Sequence, residues 1–422
     1  MKSIINISKG PVLLAFVLCF STLTLCAQNT FTEYKGIVID SDSQKPLEAV
    51  NLTVKNTNIS TITNAEGEFV LKVPESSQGT MVVLSLLGYQ IKEMSLNDLS
   101  KEDAKIALSQ KIVELPQVKV TGFKNAEALV KKVFENKAKN NLDQPVLMTA
   151  FYRETIKKRN RNVSLTEAVV DLYKQSYQNK SKDVMKLHKA RKSTDYRLLD
   201  TLAFKLQGGP FSTLYLDIMK YPEYIFNNET IDDYTYTFDQ PTTVNDKLVY
   251  VVNFIKKPND NPLHYYGKLY VDANSLALTS ATYALNIEDR KSASEFFVKK
   301  KPRDVVTYPT EASYKVNYQE KDRKWYYSYG SVNLTFKVNK KRKLFNSVYS
   351  ISSEMAITDW ETTNPGDNKD LLKDRLRPSI IIADAVSGFS DPDFWGPYNL
   401  IEPDKSIETA IDKIRKKLER EN

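Results

Sequence analysis

Residues 31–121 consist of short segments in which apolar and polar residues alternate. This alternation predicts β-strands, because side chains two residues apart lie on the same face of a strand. Turn-forming residues separate the segments, as in the stretch DSDSQKP at 40–46. The predicted strands cover residues 33–39, 49–55, 60–63, 67–73, 81–87, 90–94, 106–108 and 113–120. Short strands at such regular spacing predict an all-β sandwich.

The stretch TITNAEGEFVLKVP at 61–74 predicts a β-hairpin. Gly67 can adopt the left-handed backbone conformation that a tight turn needs. The side chain of Asn64 can accept hydrogen bonds from the backbone of the same turn. After the turn, Phe69, Leu71 and Val73 recur with a period of two, so we expect them to face the core.

Several of these segments carry an ordered series of motifs. The series comprises GxVxD at 36–40, PLxxVxL at 46–52, TNxxGxF at 63–69, SxxGY at 85–89 and the exit LPQVKV at 115–120. In order and spacing it resembles the carboxypeptidase-regulatory-like domain over about ninety residues. The resemblance implies a prealbumin-like or immunoglobulin-like β-sandwich, an accessory module of secreted and outer-membrane proteins. It does not imply peptidase activity.

A second region begins after Gly122, where helical periodicity replaces alternation. Apolar residues in 125–140 recur at the spacing of one helix face, and Asn125 is a suitable N-cap. From residue 147 alternation returns and predicts strands at 148–156, 165–173, 234–239, 247–254, 267–272, 277–284, 312–319, 325–338 and 345–356. Short helices are predicted at 201–204 and 213–219. We therefore expect an α+β domain over 125–402 with a large curved antiparallel sheet.

The segment YGKLYVDANSLAL at 266–278 reads as a strand, a turn and a strand. It resembles the repeated unit in the curved antiparallel sheets of periplasmic lipoprotein carriers. That resemblance implies a twisted sheet that cradles a helix or an apolar ligand.

Residues 403–422 predict a C-terminal amphipathic helix. Ser406 is a suitable cap, and cations lie near the helix C-terminus, where the helix dipole favours them. One face carries Ile407, Ala410, Ile411, Ile414 and Leu418. Because this apolar stripe is narrow, we expect the helix to dock on the sheet and not on a membrane.

Residues 1–27 have the pattern of a cleaved secretory signal, with a charged start, a short apolar core and a small residue at the exit. Cleavage is expected after Ala27. Cys19 and Cys26 both lie in this segment, so the mature chain would contain no thiol, no disulfide and no cysteine metal site. In an alternative interpretation Cys26 is lipidated, although Leu25 departs from the small residue that a lipoprotein signal prefers before its cysteine.

The formal charge of the chain is +8, and it falls to +6 without Lys2 and Lys9 of the signal. Basic runs such as KKRNR at 157–161 and KKRK at 340–343 stand among acidic residues. Nucleic-acid binding requires clustered charge on a recognisable module. We expect these runs to be solvated strand ends and turns, and we expect no nucleic-acid partner.

The residues that could carry chemistry are few. The two histidines, His188 and His264, do not begin the His-x-x-Glu pattern of a zinc peptidase. No Gly-x-Ser-x-Gly elbow occurs, and Ser212 in GGPFS at 208–212 reads as part of a loop. Neither a phosphate loop nor a dinucleotide fingerprint is present. The sequence therefore predicts no catalytic, cofactor-binding or metal-ligating residue.

Two alternatives stay open near the C-terminus. Asp391 and Asp393 could bind a cation or protonate a sugar, although Asp-Pro-Asp is also good turn chemistry. Phe394, Trp395 and Tyr398 could stack on a sugar or pack against the terminal helix, and packing is favoured.

Together these features predict a mainly β, non-enzymatic protein exported to the periplasm or the outer membrane. Its sandwich (31–121) would be an interaction module, and its sheet domain would bind a protein, a glycan or a lipid-like partner. The alternatives are a periplasmic carrier of apolar ligands and a carboxylate-dependent hydrolase.

Overall fold

The computed structural model describes most of the chain after the predicted signal. The described residues are 31–77, 79–111, 123–159, 161–194, 209–226, 230–257, 263–298, 303–340, 346–363, 373–382, 392–404, 407–409 and 411–412. The predicted signal, both cysteines, the strand expected at 113–120, the helix expected at 201–204, Ser406 and Asp391 lie outside these residues.

Seven strands form the part of the N-terminal domain that the structure describes. They are β1 (Phe31–Asp40), β2 (Asn51–Val54), β3 (Ser60–Ile62), β4 (Glu68–Pro74), β5 (Met81–Ser85), β6 (Lys92–Ser95) and β7 (Ala104–Leu108). One sheet has the order β4-β1-β7 and the other the order β3-β2-β5-β6. Apolar side chains from both sheets form a single buried core, which includes Phe69, Leu71 and Val73 as expected. The predicted β-sandwich is confirmed.

The predicted hairpin at 61–74 is wrong, although its turn is right. Gly67 has a positive φ of 74°, and the Asn64 Oδ1 accepts hydrogen bonds from the amides of Glu66 and Glu68, each at 2.9 Å. However, β3 pairs with β2, whereas β4 pairs with β1 in the opposite sheet. The turn therefore carries the chain from one sheet to the other, because each strand finds its partner in an earlier part of the chain.

The second domain contains ten strands and four short helices among the described residues. The strands are β8 (Val146–Lys158), β9 (Arg161–Lys174), β10 (Val184–Thr194), β11 (Tyr234–Val244), β12 (Lys247–Lys256), β13 (Tyr265–Asp272), β14 (Leu278–Leu285), β15 (Val305–Lys321), β16 (Lys324–Lys340) and β17 (Ser347–Thr362). The helices are α1 (Ala126–Glu135), α2 (Lys137–Asn140), α3 (Pro210–Leu214) and α4 (Arg290–Phe297). The strands form one antiparallel sheet of order β10-β9-β8-β17-β16-β15-β14-β13-β12-β11.

Local signals explain several of these elements. The Asn125 side chain caps α1 by accepting a hydrogen bond from the Ala128 amide. Asn245 and Asp246 both have positive φ values, as a two-residue turn between β11 and β12 requires. In contrast, β10 and α4 were not predicted. Strand β10 contains His188 and four lysines or arginines, and this polar content concealed its alternation.

Both faces of the large sheet are covered, and we name them by what covers them. The helix face packs against α1, α3 and residues 216–226 around a large aromatic core. The sandwich face packs against the N-terminal domain and residues 394–402, where Ala49 and Ile62 meet Phe151 and Trp395. The sheet is therefore an interior layer for most of its length.

The C-terminal helix has its N-cap at Asp404, two residues before the expected cap Ser406. The Asp404 Oδ1 accepts a hydrogen bond from the Ile407 amide at 2.8 Å, which is the geometry of an N-cap. Ile407 and Ile411 pack against Leu165 of β9. In the part of the chain that the structure describes, no helix has the length and apolarity needed to cross a membrane.

Candidate functional site

The sandwich is fixed to the large sheet through specific polar contacts. Asn399 imitates a β-strand partner: its Oδ1 accepts from the Lys72 amide at 2.7 Å, and its Nδ2 donates to the Lys72 carbonyl at 3.0 Å. At the other end of the junction, the Gly88 amide donates to the Thr243 carbonyl at 2.6 Å. Gly88 has a positive φ of 83°, so a glycine of the SxxGY motif serves the domain interface.

Beneath this junction a row of alternating charges crosses four strands of the sandwich face. Glu354, Arg153, Glu167 and Arg191 stand directly opposite one another on β17, β8, β9 and β10, and we call them the charge ladder. Arg153 Nη2 lies 2.7 Å from Glu167 Oε1, and Arg191 Nε lies 2.6 Å from Glu167 Oε2. Burial alone would raise the pKa of Glu167, but the two guanidinium groups lower it.

The charge ladder also holds the C-terminal segment in place. The Arg153 Nη2 donates to the Ile401 carbonyl at 2.6 Å, and its Nη1 donates to the Glu402 carbonyl at 3.2 Å. The charge ladder therefore has a structural role, because a ligand could bind to its side chains only by breaking these hydrogen bonds.

A cavity of about 290 Å³ lies between the two domains, next to this junction. We call it the interdomain cavity. The sandwich contributes Ala49, Asn51, Thr61, Ile62, Ser85, Leu86 and Leu87, and the β11–β12 turn contributes Val244 and Asn245. The sheet contributes mainly polar and aromatic side chains: Tyr270, Thr279, Ser280, Thr282, Lys315, Asn317, Tyr318, Gln319, Trp325, Ser328 and Tyr329, with Ala356 and Ile357. Each domain therefore supplies part of one wall.

Lys315 is the only charged residue that lines the interdomain cavity among the described residues. It stands opposite Thr282 in the β14–β15 register, so the two side chains share the sandwich face. Burial lowers the pKa of Lys315, whereas the charge of Glu48 raises it to a smaller extent. Within the described part of the chain, its ammonium makes no hydrogen bond or ion pair. An acidic group in the cavity would supply that missing partner.

The other lining groups favour a ligand with several hydroxyls. Ser280 Oγ donates to the Val316 carbonyl and Ser328 Oγ donates to the Asn317 carbonyl, both at 3.0 Å, so each hydroxyl oxygen can still accept a hydrogen bond. Asn245 Oδ1 is buried without a hydrogen-bond partner among the described residues. Buried polar groups are normally paired with protein, water or ligand. The cavity is therefore suited to binding, and its described lining offers no histidine or carboxylate for acid–base chemistry.

The structure separates the two histidines. His188 lies on β10 at one edge of the sheet, where its Nε2 is 2.7 Å from the Tyr398 hydroxyl. His264 directly precedes β13, which is the eighth strand in the sheet order. No cluster of metal-ligating side chains occurs among the described residues.

The aromatic alternative near the C-terminus is resolved for Trp395. Its ring is buried and contacts Phe151 edge-on, with centroids 5.6 Å apart, and the Arg191 guanidinium lies 5.0 Å from its centroid. Trp395 therefore packs the domain junction. Asp393 lies in the 3₁₀ turn Pro392–Trp395, which agrees with the turn reading of Asp-Pro-Asp. Ser212 lies in α3 and donates to the Gly209 carbonyl at 2.7 Å.

A different pair of acids lines a single cavity. Glu48 of the sandwich and Glu354 of β17 border a space of about 270 Å³, which Asp404 also lines. Burial raises the pKa of Glu354, and Arg153, 3.5 Å away, opposes that rise. Sequence reasoning missed this pair because 306 positions of chain separate the two residues. A carboxylate-dependent hydrolase would have to draw its two acids from Glu48, Glu354 and Asp404.

Solved structures from several organisms are similar to parts of the chain. An outer membrane lipoprotein-sorting protein domain from Vibrio parahaemolyticus aligns over 59% of this chain and 96% of its own, at 11% identity and a TM-score of 0.26. A LolA superfamily protein from Nitrosomonas europaea aligns over 58% of this chain and 97% of its own, at 9% identity and a TM-score of 0.23. At these scores the function of the sheet domain has to be argued from its own residues.

The N-terminal domain has a closer match. The TonB-dependent receptor SusC from Bacteroides thetaiotaomicron is 35% identical over 89 residues, which cover 20% of this chain and 8% of the receptor. The chain thus spans less than a tenth of that relative. The family model described as CarboxypepD_reg-like domain matches residues 34–120. Residues 34–120 are therefore similar to the CarboxypepD_reg-like domain, and the resemblance that the motif series predicted is confirmed.

Proposed function

We propose that this chain is a non-catalytic, exported cell-envelope protein that binds a small acidic, hydroxyl-rich molecule, such as a sugar acid, between its two domains. The observation that carries the proposal is the interdomain cavity, in which the half-buried Lys315 has no partner among the described residues. Export is supported by the predicted signal at 1–27. An envelope location is also supported by the sandwich, which is similar to part of a TonB-dependent receptor.

The size of the cavity limits the ligand. At about 290 Å³ it lies at the lower end of the ~300–1,000 Å³ typical of small-molecule sites. Lys315 would contact the acidic group, and Ser280, Ser328 and Asn317 would contact hydroxyls. Tyr270 at its border offers an apolar face as well as a hydroxyl group. A monosaccharide acid meets these requirements. Of the expected partners, which were a protein, a glycan or a lipid-like molecule, we therefore favour a glycan.

Isothermal titration of the mature chain with glucuronic acid and with glucose tests the proposal. We expect glucuronic acid to bind saturably and glucose to bind more weakly. Lys315→Met should weaken glucuronic acid binding by about 10- to 100-fold, because a hydrogen bond to a charged group contributes about 1.5–3 kcal/mol. It should leave the weaker glucose binding nearly unchanged.

Lys337→Met on β16 is the matched control, since Lys337 is exposed on the same sheet and does not line the cavity. Equal binding by Lys315→Met and the parent protein would disprove the role of Lys315. Failure of both sugars to bind would reject the proposed ligand class.

A carrier of apolar ligands would require dry space beneath the sheet. Within the described residues, the core of the helix face is instead filled by large side chains that are almost completely buried, namely Tyr152, Tyr177, Tyr327, Phe226 and Phe254. Four lysines line the cavity that borders this core, so that cavity is not the dry space that such a carrier needs. This packing favours the sandwich face as the place where the small ligand binds.

A further inference from the structure

A second cavity, on the helix face, has about twice the volume of the interdomain cavity, about 580 Å³. We call it the lysine cavity. Its border includes Lys137 at the start of α2, Lys180 and Lys182 before β10, and Lys220 after α3. Three separate segments of the chain thus bring four ammonium groups to one space, and Glu223 is the only acidic residue among the lining residues described.

Lys220 is already committed to the protein. Its Nζ donates to the carbonyl oxygens of Ser176 at 2.5 Å and Asn179 at 3.1 Å. Behind it, the buried Lys174 lies between Asp183 and Asp217, and this group of three carries a net charge of −1 that Lys220 balances. Burial lowers the pKa of Lys220 to about 8. Lys220 therefore forms part of the cavity wall.

The remaining three lysines are not balanced in this way. Within the described residues, Lys137, Lys180 and Lys182 make no ion pair and no side-chain hydrogen bond, so with Glu223 they leave a surplus of two positive charges. Lys137 is half-buried, and burial lowers its pKa while the charges of Asp217 and Glu223 oppose that change. Removing an ammonium from water without a partner costs free energy, and a bound anion would recover it.

Much of the remaining lining of the lysine cavity is apolar. Phe134, Tyr221, Pro222, Phe226 and Ile231 line it. The Phe226 ring is held in place by Phe254, with centroids 4.8 Å apart, and by Phe134, with centroids 5.9 Å apart. A cavity that combines a group of lysines with packed apolar side chains suits a ligand that carries both a charged and an apolar part.

We propose that the lysine cavity binds an amphiphilic anion, a molecule with one phosphate or carboxylate group for Lys137, Lys180 and Lys182 and a short apolar part for Phe134 and Phe226. This site lies on the other face of the sheet from the interdomain cavity. It is therefore independent of the function proposed above, and each proposal can fail without the other.

Titration of the mature chain with dodecyl phosphate, inorganic phosphate and dodecyl maltoside tests the proposal. We expect dodecyl phosphate to bind more tightly than either of the others, because only it presents both parts. Lys137→Met should reduce its affinity by about tenfold or more, and so should the double variant Lys180→Gln with Lys182→Gln, whose exposed positions carry little risk for folding. Lys139→Gln, two residues beyond Lys137 and outside the cavity lining, should change nothing.

Vesicles of phosphatidylcholine, with and without phosphatidic acid, distinguish a lipid headgroup from a soluble anion. Co-sedimentation that requires both phosphatidic acid and Lys137 supports a lipid source, and binding of soluble dodecyl phosphate alone supports a free ligand. Equal affinities for inorganic phosphate and dodecyl phosphate would overturn the apolar half of the proposal. Dodecyl phosphate binding that survives both lysine variants would overturn it entirely.

Discussion

Arg153 and Glu154 are consecutive residues of β8 that experience opposite environments. Both side chains are almost completely buried, with 2% and 4% exposure, and they point to different faces of the sheet. On the sandwich face, Arg153 has two carboxylates as neighbours in the charge ladder. On the helix face, the Tyr152 hydroxyl is the only partner of Glu154 among the described residues, and it donates to the carboxylate at 2.9 Å; burial raises the pKa of Glu154 to about 7.

The helix face does contain a compensated charge at another position. Lys174 Nζ lies 2.6 Å from both Asp183 Oδ2 and Asp217 Oδ2, and Asp217 also accepts from the hydroxyls of Tyr177 and Tyr318. The comparison teaches that burial alone does not decide whether a charge is stable inside this protein. Whether a buried charge is stable depends on its partners, which the sheet register and the loops place opposite it.

The largest effect is expected when the Lys174 charge is removed. Lys174→Met would leave two buried carboxylates without their cation, and we expect a loss of about 3–5 kcal/mol in the free energy of unfolding. Urea denaturation at neutral pH measures this loss.

Lys186→Met on the neighbouring strand is the control. Its ion pair with Asp374 is 3.5 Å long and largely exposed, so the expected change is about 1 kcal/mol or less. A loss of similar size in the two variants would mean that the Lys174 cluster is not a compensated interior charge.

A smaller effect, dependent on pH, is expected from Glu154. Its pKa of about 7 in the folded state exceeds the ~4.3 of an unfolded chain, so the folded state binds the proton more tightly. Stability therefore falls as pH rises from about 4.3 to about 7, by roughly 3 kcal/mol for this group. Glu154→Gln should remove that contribution, and above pH 7 the variant should be more stable than the parent.

Urea denaturation at several pH values gives the difference between parent and variant. Glu135→Gln, an exposed change on α1, should leave the pH profile unchanged. If Glu154→Gln lowers stability equally at every pH, the charge of Glu154 is stabilised in the folded state. Glu154 would then not differ from Arg153 in this respect.

The smallest effect concerns the attachment of the sandwich. Asn399→Ala removes both hydrogen bonds to the Lys72 backbone, and we expect a loss of about 1–2 kcal/mol. Hydrogen exchange should show faster exchange of the Lys72 amide, because its acceptor is gone. Asn97→Ala in an exposed turn of the sandwich is the control. Unchanged protection of Lys72 would show that Asn399 does not hold the domains together.

Much of the fold could be predicted from local patterns. The strands of the sandwich, the helix capped by Asn125 and the turn at Gly67 follow from side-chain periodicity and from backbone preferences of single residues. The hairpin at 61–74 failed because strand pairing depends on partners far along the chain. Strand β10 was missed because its buried Arg191 reads as a solvent-facing residue until Glu167 is known to lie opposite.

Neither cavity could be predicted in this way. Lys315 is one lysine among many in the sequence, and it becomes distinctive only when the sandwich covers the sheet beside it. The same holds for Lys137, Lys180 and Lys182, which come together through the folding of three separate segments. The sequence NKSKD at 179–183 has two lysines flanking Ser181, which could indicate an anion site. However, such a pattern is common in exposed loops.

The sequence by itself determined where strands and turns form, that the N-terminal module is a β-sandwich, and that histidine and cysteine chemistry has few residues to use. Those properties depend on neighbours within a few positions along the chain. Only the tertiary structure decided which strands pair, that both faces of the large sheet are covered, and which charges are left without partners. Those properties depend on contacts between distant segments, and the sequence of a single strand does not specify which partner it pairs with.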